Sequence, residues 1–214
     1  MNITSKKKRN LIIALSLLLV ATIAIGATVA YLSARTDTKK NVFTFSPNIK
    51  AELDEPTWDP EKAEDLVPGN IVPKDPQITN TSENGISEYV AMKLVFTDGS
   101  DAQLSDVSTD NNYVGKLLSL IDINWNTTDW QLANGAMAGK SEQIWVYKSE
   151  LAPGATTNPI FTTVTIKDTV TPAELSWLAD VLEGFNIVID GAAVQYEVFA
   201  DLAEATPELV SLFA

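Results

Sequence analysis

The alternation of apolar and polar residues over residues 42–53 constrains the fold of this chain more than any other sequence feature. From Phe43 on, the odd-numbered positions are mostly apolar and the even-numbered positions are polar or charged. Successive side chains of a β-strand point to opposite faces, so the pattern predicts an extended strand with one face in a core. Its partner is either the rest of its own domain or a neighbouring molecule, and the pattern leaves both open.

A basic and then apolar leader precedes this strand. Four consecutive basic residues are followed by an apolar run at 11–25 and then by small residues. This is the composition of a secretory signal peptide, and we expect cleavage between Ala30 and Tyr31 to remove residues 1–30. An uncleaved membrane anchor is the alternative, but the apolar run is short for a bilayer span. We therefore expect a secreted, extracellular protein whose mature part, residues 31–214, is one domain.

The composition argues against most enzyme chemistry. The 214 residues include 28 acidic and 15 basic ones, and the net charge is -13. Because this charge repels phosphate backbones, we expect no nucleic-acid partner. The sequence has no cysteine and no histidine, so disulfides, thiol nucleophiles, Ser-His-Asp triads and zinc sites with nitrogen or sulfur ligands are excluded. We expect no enzyme activity, no catalytic residue, no cofactor and no metal site.

Turn signals divide the rest of the chain into short strands. Residues 66–80 contain three prolines, which cannot donate to a sheet ladder, so edge strands are expected there. Further strands are expected at 89–96, 117–125, 130–132, 143–148 and 160–166. The segment 135–141 imitates a phosphate-binding loop, but its glycine spacing is one residue short and it lies between strands. We interpret it as a hairpin loop.

Two helices and one ambiguous strand region follow. Thr171 and Glu174 form a capping box for a helix that Gly184 would end. A short terminal helix is expected from Thr206. In between, the apolar positions switch from odd to even at Gly191, which fits either a two-residue hairpin or one strand with a bulge. The whole pattern predicts an all-β fold with one or two short helices, a jelly-roll β-sandwich.

Two side-chain groups have alternative interpretations. Asp106 and Asp110 lie in a polar stretch that has oxygen ligands for calcium, but the spacing does not match an EF-hand, and a solvated acidic loop is expected. Four aromatic residues fall in adjacent predicted strands: Trp125, Trp130, Trp145 and Tyr147. Packing inside the protein is expected for them, and an exposed carbohydrate-binding platform is the alternative.

A set of short motifs occurs in a definite order along the chain. The small residues before Tyr31 are followed by Phe43-Thr44-Phe45-Ser46. The later motifs are Val67-Pro68-Gly69-Asn70, Ile78-Thr79-Asn80-Thr81, Tyr89-Val90-Ala91-Met92-Lys93, Leu151-Ala152-Pro153-Gly154 and Phe185-Asn186-Ile187-Val188-Ile189. In this order they resemble the TasA/camelysin family of secreted Gram-positive fibre proteins. The resemblance favours the bulged strand over the hairpin at Gly191.

The resemblance implies a structural function. It implies a jelly-roll subunit of extracellular biofilm-matrix fibres that assembles with copies of itself by donor-strand exchange, with residues 31–53 as the donor segment. The donor-strand residues would be Val42, Phe43, Phe45, Ile49 and Leu53. It also implies a SipW-type signal peptidase during export and an accessory assembly protein. Metallopeptidase activity, described for some members, is not expected here because the chain has no histidine.

Two other functions stay open at this point. A monomeric secreted module that binds polysaccharide or a cell surface would pair its N-terminal strand within its own sheet. A secreted hydrolase is the third alternative, but no catalytic group is identifiable for it.

Overall fold

A computed structural model describes residues 33–35, 41–42, 49–83 and 85–214. The strands in these ranges are β1 (Ser33–Arg35), β2 (Asn41–Val42), β3 (Ala51–Asp54), β4 (Ile71–Pro73), β5 (Gln77–Asn80), β6 (Glu88–Asp98), β7 (Ile121–Ile123), β8 (Trp130–Leu132), β9 (Glu142–Tyr147), β10 (Thr163–Ile166) and β11 (Phe185–Gln195). The α-helices are α1 (Val114–Leu120), α2 (Pro172–Ser176), which continues as a π-helical turn, and α3 (Leu202–Ser211).

The strands form three antiparallel sheets. The largest has the order β1-β11-β6-β9-β8, and the two three-stranded sheets have the orders β4-β10-β7 and β2-β3-β5. The prediction of an all-β fold is confirmed, with three short helices in the described residues instead of the one or two expected. The two proline-marked strands, β4 and β5, lie at sheet edges as predicted.

One apolar cluster, the main core, joins the three sheets. The even-numbered residues of β6 from Val90 to Phe96 are fully buried in it. Ile49 and Leu53 reach it from the β3 segment, Ile78 reaches it from β5, and Val164 reaches it from β10. The alternation seen in the sequence therefore orients β3, β5, β6 and β10 around a shared interior.

A second, smaller core lies on the reverse face of the largest sheet. Here Tyr89 and Ala91 of β6 and Ile144 and Val146 of β9 pack with α3, whose Ala205 and Leu209 are fully buried. Ala192 and Val194 of β11 belong to the same cluster. This end of the sheet is thus buried on both faces.

β11 is one continuous strand, so the hairpin expected as one alternative at Gly191 is wrong, and of the other alternative the long strand is confirmed but the bulge is not. All eleven of its residues pair with β6 in one unbroken register, from Phe185 opposite Asp98 to Gln195 opposite Glu88, with neither a hairpin nor a bulge at Gly191. The apparent switch of apolar parity arises because α3 covers the reverse face, so even-numbered residues also become buried beyond Gly191.

The expected continuous strand over residues 42–53 is also corrected. Val42 lies opposite Glu52, and Asn41 lies opposite Leu53, in an antiparallel pair between β2 and β3. Asn41–Val42 and Ala51–Asp54 are therefore two strands of opposite direction and not parts of one strand. Alternation does not distinguish the two arrangements, because its period of two is the same in either direction.

One strand prediction and one helix boundary needed correction, and one helix start was confirmed. Residues 117–125 are not one strand, since α1 runs to Leu120 and only Ile121–Ile123 is extended. α3 begins one turn before Thr206, with Asp201 accepting the hydrogen bond from the Glu204 amide. The capping box at the start of α2 is present as predicted.

Candidate functional site

The outer edge of β11 is the most distinctive surface of the part of the chain that the structure describes. On one side β11 pairs with β6 along its full length. On the other side the strand pairing formed by described residues is short: Ser33, Ala34 and Arg35 of β1 lie opposite Val194, Ala193 and Ala192. A sheet edge presents unpaired N–H and C=O groups to any extended chain that reaches it. This edge already receives one such segment, from the N-terminal part of the chain.

Two adjoining cavities of about 820 Å³ and 1010 Å³ lie beside the N-terminal half of β11. Ile187 and Asn186 of β11 line both, as do Trp58 and Lys74 on the opposite wall. The first cavity extends to α2 and β10, and the second extends to the end of β3. The N-terminal half of β11 thus lies beside a groove that residues of β3, β4 and β10 also line.

Trp58 forms part of the rim of this groove. Its side chain is on a loop between β3 and β4, and the residue is 39% exposed. Lys74 Nζ lies 4.6 Å from the centre of the Trp58 ring and forms an ion pair with Glu55 at 2.7 Å. Because Lys74 is itself buried, this contact fixes the loop against the groove.

The structure brings together only some of the predicted donor-strand residues. Ile49 is fully buried and Leu53 is 6% exposed, both in the main core of the same chain. Val42 is in the short strand β2. Phe43 and Phe45 lie outside the described residues, as do Ala30 and Tyr31 of the expected cleavage site.

Glu88 is a buried acidic residue that the sequence did not lead us to predict. It is the first residue of β6 and is fully buried. Burial raises the pKa of the Glu88 carboxyl to about 7, against the lowering effect of a hydrogen bond from Ser82. The alternation in β6 contained the signal, because Glu88 is even-numbered like the core residues that follow it. Extending the strand by two residues before Val90 places this acid on the core face.

The aromatic cluster is packed inside the protein, as the main interpretation predicted. Trp130 is fully buried, donates from Nε1 to the Asn158 carbonyl at 2.9 Å, and has its ring 5.1 Å from Tyr147. Trp125 and Trp145 stack on each other at 4.8 Å. Their rings cover each other, which leaves no flat pair of ring faces for a sugar.

The remaining predicted motifs lie in loops. Residues 135–141 connect β8 to β9, which confirms the hairpin loop. Asp106 accepts a hydrogen bond from the Ser141 amide at 2.7 Å, and Asp110 accepts one from the Ser105 hydroxyl. In the described ranges no three acidic side chains converge in a way that could hold a metal ion. The helices of the same ranges are all too short or too polar to cross a membrane.

Fold and surface together define an antiparallel all-β protein whose largest sheet ends in a short, N-terminal edge strand. Comparison with protein-family models, curated proteins and solved structures finds no match to this chain.

Proposed function

We propose that this protein is a secreted structural subunit of extracellular biofilm-matrix fibres, with a jelly-roll β-sandwich fold. Each subunit adds its N-terminal strand to the sheet edge of the next by donor-strand exchange. The three antiparallel sheets around one main core support the sandwich. A SipW-type signal peptidase cleaves between Ala30 and Tyr31 during export, and an accessory protein assists assembly. No enzyme activity is part of this function.

The pairing of β1 with the outer edge of β11 is the observation that carries this proposal. The strand has three residues and lies at the very edge of the sheet. Main-chain hydrogen bonds between strands do not depend on which chain supplies the segment, so the same three residues of a neighbour fit the same edge.

The groove beside β11 gives the added strand room to continue. It follows the edge from Ile189 back to Phe185 and is bordered by apolar residues of α2 and β10. In strand addition, such pockets receive alternate side chains and so fix the register. Each apolar anchor that becomes fully buried in the groove contributes about 1.5–3 kcal/mol.

Deletion of residues 31–35 tests this function. The earlier part of the donor segment can be removed without loss of Ile49, Ala51 or Leu53 from the main core. We expect exported protein that folds but forms no fibres by electron microscopy. A variant with Ser108→Gly and Thr109→Gly in an exposed loop is the control and should polymerise. Fibres formed by the deletion variant would contradict the proposal.

The second candidate is a monomeric secreted binding module. The specific observation in its favour is that β1 pairs with β11 of its own chain. Size-exclusion chromatography of the exported protein, followed by glycan binding, separates the two functions. A stable monomer that binds polysaccharide over a wide range of protein concentrations would favour the module.

A further inference from the structure

Glu88 has an incomplete set of partners inside the protein. One carboxyl oxygen accepts a hydrogen bond from the Ser82 hydroxyl. The other oxygen, Oε2, is buried and has no hydrogen-bond partner among the described residues. Hydrogen bonds from Ser82 and from the Lys50 backbone amide lower the pKa of this carboxyl, but burial raises it by more. The ionised form is therefore unfavourable in the interior, and the protonated form avoids most of that cost.

Two charged residues close to Glu88 among those that the structure describes are directed elsewhere. In the turn before β6, Glu83 pairs with Lys50 Nζ at 2.6 Å on the surface, so this lysine is directed away from the buried carboxyl. On the neighbouring segment, Leu151 pairs with the Glu88 backbone, and the adjacent Glu150 is exposed.

The neighbours on the strands are also uncharged near neutral pH. Gln195 of β11 lies opposite Glu88. Tyr89 is on the reverse face of β6, where burial and Tyr196 raise its pKa above the ordinary value of 10. The titration of Glu88 between mildly acidic and mildly basic pH is therefore not shared with these residues.

Ser82 connects Glu88 to the N-terminal part of the chain. The Ser82 hydroxyl accepts a hydrogen bond from the Lys50 amide at 2.6 Å, and the Thr81 amide donates to the Lys50 carbonyl at 2.8 Å. Lys50 is the residue directly before β3. The point at which the N-terminal segment joins the main core is thus held by a chain of hydrogen bonds that ends on Glu88.

We propose that Glu88 is a proton-controlled anchor for the N-terminal segment. When Glu88 is protonated, the segment that enters β3 at Lys50 is held through Ser82. When Glu88 is ionised, this attachment opens more readily, because opening brings water to the buried carboxylate. The consequence for strand exchange rests on the proposed function, since easier opening frees the preceding strands for a neighbouring subunit; the anchoring itself does not depend on it.

The direction of the effect follows from proton linkage. The folded state holds its proton up to a pH of about 7, whereas a water-exposed glutamate loses it near 4.5. Opening therefore becomes easier as pH rises between these two values and changes little above them. From near pH 5.5 to near pH 8 the opening constant should increase about 30-fold.

Hydrogen exchange tests the anchor. The exported product of the full-length chain and its Glu88→Gln variant are compared at the same pH, which cancels the intrinsic pH dependence of amide exchange. For the amides of residues 50–53 we take the ratio of the wild-type exchange rate to the variant exchange rate. We expect this ratio to be about 30-fold larger near pH 8 than near pH 5.5. An equal ratio of the two rates at both pH values would overturn the proposal.

Two further variants keep the test decisive if Glu88→Gln folds poorly. Ser82→Ala removes the hydroxyl that joins Lys50 to Glu88, so the rise in exchange of residues 50–53 with pH should be largely lost. Glu83→Gln removes an exposed carboxylate of the same turn, whose pKa is already lowered by Lys50, and should leave the transition in place. If the rise in exchange with pH is lost in Glu83→Gln and kept in Ser82→Ala, the anchor does not act through Glu88 and Ser82.

The outcomes also separate this inference from the proposed function. Exchange is measured on monomers, so pH-dependent opening without any fibres supports the anchor and contradicts the fibre proposal. Fibres that form while Glu88→Gln and wild type exchange with one pH-independent ratio contradict the anchor and support the fibre proposal.

Discussion

Ala34 of β1 lies directly opposite Ala193 of β11 in an antiparallel pair. Ala193 is 1% exposed and belongs to the main core, so the sheet edge that receives β1 is continuous with the interior of the protein. On the reverse face, Ala192 and Val194 pack with α3. The pairing of β1 therefore depends on a strand that is held on both faces.

Loss of packing beneath α3 should loosen this strand. Leu209 is fully buried against the reverse face of the sheet, and its replacement by alanine should reduce the free energy of unfolding by about 2–5 kcal/mol. Urea unfolding measures this loss. Hydrogen exchange of the Ala192–Val194 amides should also become faster. Ser211→Ala, at an exposed position of the same helix, is the control and should change neither value; equal effects of both variants would contradict the role of Leu209.

The tryptophans should differ in their contribution to stability. Trp130 is fully buried and hydrogen-bonded to the Asn158 carbonyl, so Trp130→Ala should reduce the free energy of unfolding by about 3–5 kcal/mol. Trp58 is 39% exposed at the rim of the groove, and Trp58→Ala should cost less than about 1 kcal/mol. Denaturant titrations of the two variants check this order, and a reversed order would refute the assignment of Trp130 to the core.

The global stability of the protein should fall as pH rises from mildly acidic to neutral values. The pKa of Glu88 is raised to about 7 in the folded state, from an ordinary value of 4.5. The folded state therefore binds more protons in this window, and Glu88 should contribute a loss of about 3 kcal/mol between pH 4.5 and pH 7, with little further change above.

Glu88→Gln should abolish that part of the pH dependence. Urea unfolding of wild type and variant at a series of pH values gives the comparison. Glu83→Gln is the matched control, because its carboxyl ionises below this window. Wild-type and Glu88→Gln curves that stay parallel across the window would show that Glu88 does not titrate there.

Alternation predicted those strands that have one face in a core and one face in water. It worked for β3 and the residues just before it, where Ile49, Ala51 and Leu53 are buried, and for β6 from Met92 to Phe96. It failed where both faces are covered, as in β11 beyond Gly191, since a second core beneath α3 removes the polar face. It also missed α1, whose buried Val114, Leu117 and Leu120 are spaced by three. The strand expected at residues 117–125 begins after Val114 and so contains only part of this spacing.

The candidate site was only partly predictable for a related reason. The alternation indicated a strand at residues 42–53, and β1 lies before it, within the donor segment 31–53 that only the family resemblance implied. It could not identify the acceptor, because the edge of β11 is defined by how distant strands are ordered in the sheet. The alternation in β6 could have indicated that Glu88 is buried. It could not show that the Lys50 ammonium pairs with Glu83, because this pairing depends on the turn before β6.

Cysteine trapping across β1 and β11 tests the central claim most directly. The chain has no cysteine of its own, and opposed residues in antiparallel strands are at a distance that a disulfide can bridge. Ala34→Cys protein is mixed with Ala193→Cys protein under oxidising conditions that permit assembly. A mixture with Ser108→Cys, at an exposed loop position, in place of Ala193→Cys is the control. Strand exchange between subunits predicts a disulfide that joins the two different chains, and ladders of linked subunits from the double variant. A double variant that forms only internal disulfides, with no joined chains above the control in the mixture, would contradict it.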